Sequence, residues 1–208
     1  MRHESEVLAP ETAELLHSLG SFFSNLGFYL AGGTALAIHL GHRKSIDLDF
    51  FGGREFDPLS LEHDIREFLK DGSQVQVSGT AKNTLNLFID GIKVDALRYS
   101  YPILSPPTQE DSYLLASIPD ISAMKLSAVT NRGSKKDFFD IFQLLQDYSL
   151  GELLDFYVEK FSTHDRFMVL RSLTYFDDAE AEPEPILLNR TTWSKVKKTI
   201  SSVVAELC

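Results

Sequence analysis

The sequence predicts a mixed α/β (α+β) protein in two parts: a small mixed sheet with helices over residues 1–104, and a helical half over 105–208. Three observations carry this. Short strand-like runs alternate with amphipathic helical runs through the first half of the chain. An Asp90-Gly91 pair joins two of those runs as a hairpin. Ser105-Pro106-Pro107 then separates them from a stretch in which only helical periodicity continues.

Each element follows from local chemistry. Leu15, Leu16, Leu19, Phe22 and Phe23 recur at helical spacing and set a helix over residues 11–25, ended by Gly27. Residues 28–31 are short, apolar and partly aromatic, as a buried strand is, and they lead into Gly32-Gly33. Residues 34–40 form a second helix closed by Gly41. Beyond the basic loop His42-Arg43-Lys44, residues 46–51 read as a strand stopped by Gly52-Gly53. Asp57-Pro58 has the form of an N-cap with proline at the first helical position, opening a helix to residue 70 that Asp71-Gly72 closes. Residues 74–78 alternate as a strand, and 85–89 and 92–98 flank the hairpin turn. On the second arm Lys93, Asp95 and Leu97 share one face, while Ile92, Val94 and Ala96 share the other.

In the helical half, Pro119 starts a helix to residue 131 with Gly133 behind it, and Ser134 caps another over 135–148. Phe138, Phe139, Ile141, Phe142 and Leu145 supply its core face. Further helices are expected at 151–161, 167–175 and 192–207. The acidic, proline-bearing residues 177–185 read as a mobile loop.

The 208 residues suffice for a full core, and the formal net charge of −10 argues against broad nonspecific binding to nucleic acid, which needs a dominant basic face. A local strip, Arg190, Lys195, Lys197 and Lys198, reads as a solvated helix face. The only cysteine is Cys208, so no internal disulfide forms. No apolar run reaches the length of a membrane span, and the first residues lack an apolar signal core, so the expected location is the cytoplasm, away from membrane. His39 and His42 are near neighbours, but no cysteine or further histidine joins them at metal-ligand spacing.

The chemistry is concentrated in Gly32-Gly33-Thr34 and Asp47-Leu48-Asp49. On a strand Asp47 and Asp49 point to the same side, two hard oxygen ligands of the kind Mg²⁺ shares with substrate phosphates. Asp95, on a separate strand, supplies the third carboxylate. Gly33 and Thr34 at a helix start offer backbone N–H groups and a hydroxyl to phosphate. The set points to an enzyme acting on a nucleoside triphosphate with two Mg²⁺ (or Mn²⁺) ions, Asp47 and Asp49 bridging them and Asp95 completing the nucleophile side.

On these residues the stretch LAGGTALAIHLGHRKSIDLDFF resembles the first motif of the AbiEii/AbiGii-type nucleotidyltransferases, a branch of the DNA polymerase β-like superfamily. Gly32, Gly33, Arg43, Ser45, Asp47 and Asp49 stand where that motif puts them. KVDAL, residues 93–97, looks like the third-carboxylate motif, and AMKLSAVTNRGSKKDFFDIFQLL resembles the C-terminal motif, which implies roles for Lys125 and Asp137. Met124 stands where the family commonly has glutamate. The resemblance implies a polymerase β-like core with a helical C-terminal domain, an NTP donor, an acceptor such as tRNA or other RNA, and a cognate antitoxin.

Plainer roles exist for several of these residues. Lys125 is either a surface lysine whose stem lies on the core or a phosphate contact. Asp137 is three residues beyond Ser134, the spacing of a capping box. Arg43 either pairs with an aspartate or reaches a phosphate. Two rival functions share the fold: a small-molecule nucleotidyltransferase of the antibiotic-modifying kind, and a non-catalytic partner such as an antitoxin.

Overall fold

The computed structural model describes residues 3–70, 72–163 and 165–207; Asp71 and Cys208 lie outside the described residues. A seven-stranded sheet forms the centre, built from β1 (Phe28–Leu30), β2 (Leu48–Gly52), β3 (Val75–Ala81), β4 (Thr84–Ile89), β5 (Ile92–Arg98), β6 (Thr108–Gln109) and β7 (Leu114–Leu115) in the order β3-β4-β5-β2-β1-β7-β6. The helices of the first half are α1 (Glu4–Val7), α2 (Pro10–Asn25), α3 (Gly32–Leu40) and α4 (Pro58–Leu69). Those of the second half are α5 (Ile118–Asn131), α6 (Lys135–Leu144), α7 (Leu150–Phe161), α8 (Phe167–Leu173), α9 (Asp177–Glu180) and α10 (Trp193–Ala205).

Local signals account for most boundaries. Asp57 accepts the Ser60 N–H at 2.8 Å to start α4, and Gly41, at φ 63°, ends α3 in the left-handed conformation. Asp90 and Gly91 both have positive φ, 50° and 83°, so the hairpin turn matches the right-handed twist of its strands. The β2–β5 pair is parallel and aligns Asp49 with Asp95 and Phe51 with Leu97. Phe23 of α2 stacks on Phe50 of β2 at 4.2 Å, fixing helix to sheet from the face opposite Asp49.

Three expectations change. Asp47 lies just ahead of β2 rather than within it. The sheet continues past Ser105-Pro106-Pro107, because β7 pairs with β1. The connection there is held firmly: fully buried Lys160 donates to Asp120 at 2.5 Å and to the Pro102 carbonyl at 2.8 Å, and Asp120 accepts the N–H groups of Leu104 and Ser105, each at 3.1 Å. Lastly, the acidic segment expected to be a mobile loop contains α9 and is tied down. The Lys135 N–H donates to Glu182 at 2.7 Å and its ammonium to the Glu180 carbonyl at 3.0 Å. Further on, Leu187 forms an antiparallel bridge with Arg43, the Lys44 N–H reaching the Ile186 carbonyl and the Leu188 N–H reaching the His42 carbonyl. On α10, Lys197 pairs with Glu180 at 2.8 Å and Lys195 lies over the Phe142 ring, while Lys195 and Lys198 are exposed as a solvated helix face requires.

Candidate active site

The Gly32-Gly33 pair opens α3 directly, rather than forming a turn ahead of it. Gly32 has φ 66°, and a Cβ there would lie 2.4 Å from Asp49 Oδ2. A Cβ on Gly33 would lie 2.2 Å from Arg43 Nη2 and 3.4 Å from Lys125 Nζ. The glycines let a helix N-terminus press against a carboxylate on one side and two cations on the other. Thr34, by contrast, is buried, and its hydroxyl is engaged with Ser45 Oγ at 2.7 Å and the Asp47 carbonyl. It braces the chain leading into Asp47 while lining the pocket. Ser45, also buried, joins this brace and lies within 3.5 Å of Arg43 Nη1.

Register brings Asp49 and Asp95 side by side on neighbouring strands, and Asp47 lines the same pocket. Burial pushes the Asp49 carboxyl above its ordinary range, the Asp95 charge adds to the push, and Lys93 offsets part of it. Asp95 accepts Asn86 Nδ2 at 2.8 Å and the Lys93 ammonium at 2.5 Å, while Lys136 reaches Asp47 from α6 at 3.7 Å. The acids form no ready-made cage: among the described residues no three His, Cys, Asp or Glu side chains are placed to hold a metal ion. The donor set still fits magnesium in kind, being hard carboxylate oxygens on one wall of one pocket.

Opposite Gly33, one carboxylate organises the cations. Asp140 of α6 is fully buried and accepts Arg43 Nε at 2.7 Å, Arg43 Nη2 at 3.0 Å and His42 Nε2 at 2.7 Å. Lys125 Nζ lies 2.6 Å from Asp140 and 2.8 Å from Asp137. Burial alone would raise the Asp140 carboxyl, but Arg43 and Lys125, with the His42 hydrogen bond, hold it well below the ordinary carboxylate range. The same balance lowers Asp137, where burial is overcome by Lys125, Ser134 and Arg132.

Two open readings are thereby settled. Lys125 is buried in an ion cluster at the pocket wall, not lying along the surface. Asp137 does not cap α6 through a backbone N–H, because its oxygens take Lys125, Arg132 and the Ser134 hydroxyl. Arg43 pairs with Asp140 and lines the pocket as well.

The pocket has a volume of about 250 Å³. Arg43, Lys125, Arg132 and Lys136 bring cations to its lining, Phe51, Leu97, Ile121 and Met124 bring apolar surface, and Asp47, Asp49 and Asp95 bring the carboxylates. Gly32, Gly33, Thr34, Arg43, Ser45, Asp47, Asp49, Asp95 and Lys125 all line it, and Asp137 pairs with Lys125. Sequence reasoning does not single out Asp140, Lys136, Arg132 or Asn86. The one usable signal for Asp140 is a carboxylate three residues beyond Asp137 inside an otherwise apolar helix face.

A mixed sheet with paired acids beside a glycine-started helix, covered by a helical half, defines a nucleotidyltransferase fold. The chain matches the family described as nucleotidyl transferase AbiEii toxin, type IV toxin–antitoxin system, over residues 14–206, and it belongs to that family. It is 38% identical over 181 residues to an uncharacterised protein of Aquifex aeolicus, aq_aa25, covering 84% of this chain and 86% of that one. Among solved structures it resembles MenT4, a nucleotidyltransferase toxin of Mycobacterium tuberculosis, with TM-score 0.63, 14% identity, and coverage of 95% and 83%. It also resembles JHP933 of Helicobacter pylori, with TM-score 0.59, 17% identity, and coverage of 96% and 93%.

Proposed function

We propose that this nucleotidyltransferase moves an NMP unit from an NTP to an acceptor hydroxyl, releasing pyrophosphate, with Mg²⁺ or Mn²⁺ held by Asp47, Asp49 and Asp95. The observation that carries this is one pocket lined by three acids, four cations and the glycine start of α3. Two divalent ions bound there would neutralise the phosphates and lower the pKa of the attacking hydroxyl. The chain's own residues do the rest. The N-terminus of α3 at Gly33 offers backbone N–H groups to the β- and γ-phosphates. Arg43 and Lys125, pre-set by Asp140, meet the charge that grows on the leaving pyrophosphate without having to reorganise. Asp95, which accepts from Asn86 and Lys93, would take the acceptor's proton.

The small-molecule rival needs acidic groups from the helical half to hold a cationic drug. The residues that half turns into the pocket are Ile121, Met124, Lys125, Ala128, Arg132 and Lys136, with no carboxylate among them. A non-catalytic role is disfavoured by the assembled acids and cations together. We therefore read the acceptor as an RNA, tRNA included, and the protein as the toxin of a pair whose antitoxin curbs this activity inside the cell.

The test is incorporation of label from α-labelled NTPs into total cellular RNA. Asp47→Asn is expected to lower incorporation about a hundredfold or more, the scale for removing one pre-set electrostatic group. Asp47 is part-exposed, so the variant should melt like the parent. Full incorporation by a folded Asp47→Asn protein would overturn the reading.

A further inference from the structure

In nucleotidyl transfer the attacking oxygen and the leaving pyrophosphate stand in line on opposite sides of the α-phosphorus. With the pyrophosphate against Gly33, Arg43 and Lys125, the acceptor must enter from the far side of the acids. Period-two alternation carries that face of the sheet from the Asp49–Asp95 pair to the Phe51–Leu97 pair, about 7 Å further along. It then reaches Tyr99, two residues beyond Leu97.

From there a chain of rings leads outward. Phe51 meets Tyr99 edge-on at 5.1 Å, Tyr99 meets Tyr101 at 4.9 Å, Tyr101 meets Phe161 at 4.8 Å, and Phe161 meets Tyr157 at 5.0 Å. None of these rings is fully buried, and Tyr101 is 47% exposed. Lys160 Nζ lies 5.3 Å over one ring, Tyr99, and the others are partly exposed; core aromatics are normally covered, and a contiguous partly exposed patch of this kind marks a binding surface. It is continuous with the pocket at Phe51.

Resting on the nucleotidyl-transfer reading, we infer that Phe51, Tyr99, Tyr101 and Phe161 form the acceptor track, on which the unstacked bases at the 3′ end of a single-stranded RNA lie while the terminal hydroxyl reaches Asp95. Aromatic faces hold any base by stacking, so the track reads strandedness more than sequence. With a net charge of −10, recognition rests on stacking near the terminus rather than on phosphate neutralisation along a duplex.

The probe is a 5′-dye-labelled single-stranded oligoribonucleotide of about eight nucleotides with a free 3′ end, followed by anisotropy. Wild-type protein is expected to bind it with a log–log salt slope of about −2 or shallower. Tyr101→Ala and Phe161→Ala should each weaken binding by roughly five- to a hundredfold, and Tyr101→Trp should retain it. A duplex of the same length should bind more weakly. Absence of wild-type binding, or Tyr101→Ala binding within about twofold of wild type, overturns the track, as does a loss that tryptophan at 101 fails to rescue. A parallel titration with a non-hydrolysable NTP analogue and Mg²⁺ separates the two levels. If the analogue binds and RNA affinity ignores Tyr101, the track alone fails; if the analogue does not bind, the nucleotidyl-transfer reading fails beneath it.

Discussion

The Asp140 carboxylate receives His42, two nitrogens of Arg43 and the Lys125 ammonium, so removing it strands Arg43 in a buried setting and leaves Lys125 to Asp137 alone. Asp140→Ala is expected to cost about 3–5 kcal/mol of stability, because a buried charge left without its partner is expensive. The pH dependence has a definite sign. A carboxyl held below its unfolded value contributes stability that is complete above about pH 4 and is lost as pH falls through the depressed folded value. Urea midpoints between neutral pH and about pH 2 should therefore fall steeply on the acid side for the parent. Asp140→Asn should show a shallower acid limb, retaining the part due to Asp137 and Asp120, which are lowered in the same way. An unchanged limb would show that Asp140 is not the controlling group. This residue was poorly legible in the sequence because its meaning comes from a partner 97 positions away. Asp47, Asp49 and Asp95 stood out because strand alternation and hairpin chemistry are local rules. The glycines were recognised for what they could do to a phosphate, whereas their closest neighbours are Asp49 and Arg43, contacts only three dimensions disclose.

At the scale of elements, the caps, the hairpin and the glycine stop of α3 were legible because each is set within a few residues. The segment around α9 was misread for the opposite reason. Its acidity and prolines suggest a solvated loop, but Lys135, itself buried and lying 5.4 Å over the Trp193 ring, collects it against α6 and α10. The segment then runs on to pair with the loop that carries Arg43. Lys135→Met is expected to release it, and limited digestion with a glutamate-specific protease should cut between residues 178 and 186 at least about tenfold faster than in the parent, since cleavage follows local opening. Equal digestion rates would mean that the remaining contacts, Lys197 and Trp193 to Glu180 and the bridge to Arg43, secure the segment without the Lys135 ammonium. Likewise α5 was expected as a helix, but not that Ile121, Met124, Lys125, Ala128 and Arg132 form one stripe along the pocket wall. Periodicity reveals such a stripe without saying what it faces.

For the molecule as a whole, the two halves meet over the pocket, so a ligand that touches both should stabilise the entire fold. A non-hydrolysable NTP with Mg²⁺ at about a hundred times its Kd adds about 2.7 kcal/mol. For a chain of this size that corresponds to a rise in melting temperature of roughly 5–10 °C. Asp49→Asn should abolish the magnesium-dependent part of the rise. A shift of the same size without the metal would contradict the assignment of the three acids. Among the described residues no helix is long and apolar enough to cross a membrane. The strand pairing that carries β7 back to β1 past Ser105-Pro106-Pro107 was not legible, because two-residue strands leave almost no pattern.

The shared carboxylate at residue 140 also bears on how the protein is made. During synthesis the acids at 47, 49 and 95 emerge early, yet Arg43 has no anchor and Lys125 no counter-charge until α6 has cleared the ribosome. A nascent chain that has not yet extruded α6 thus lacks the carboxylate that holds both cations.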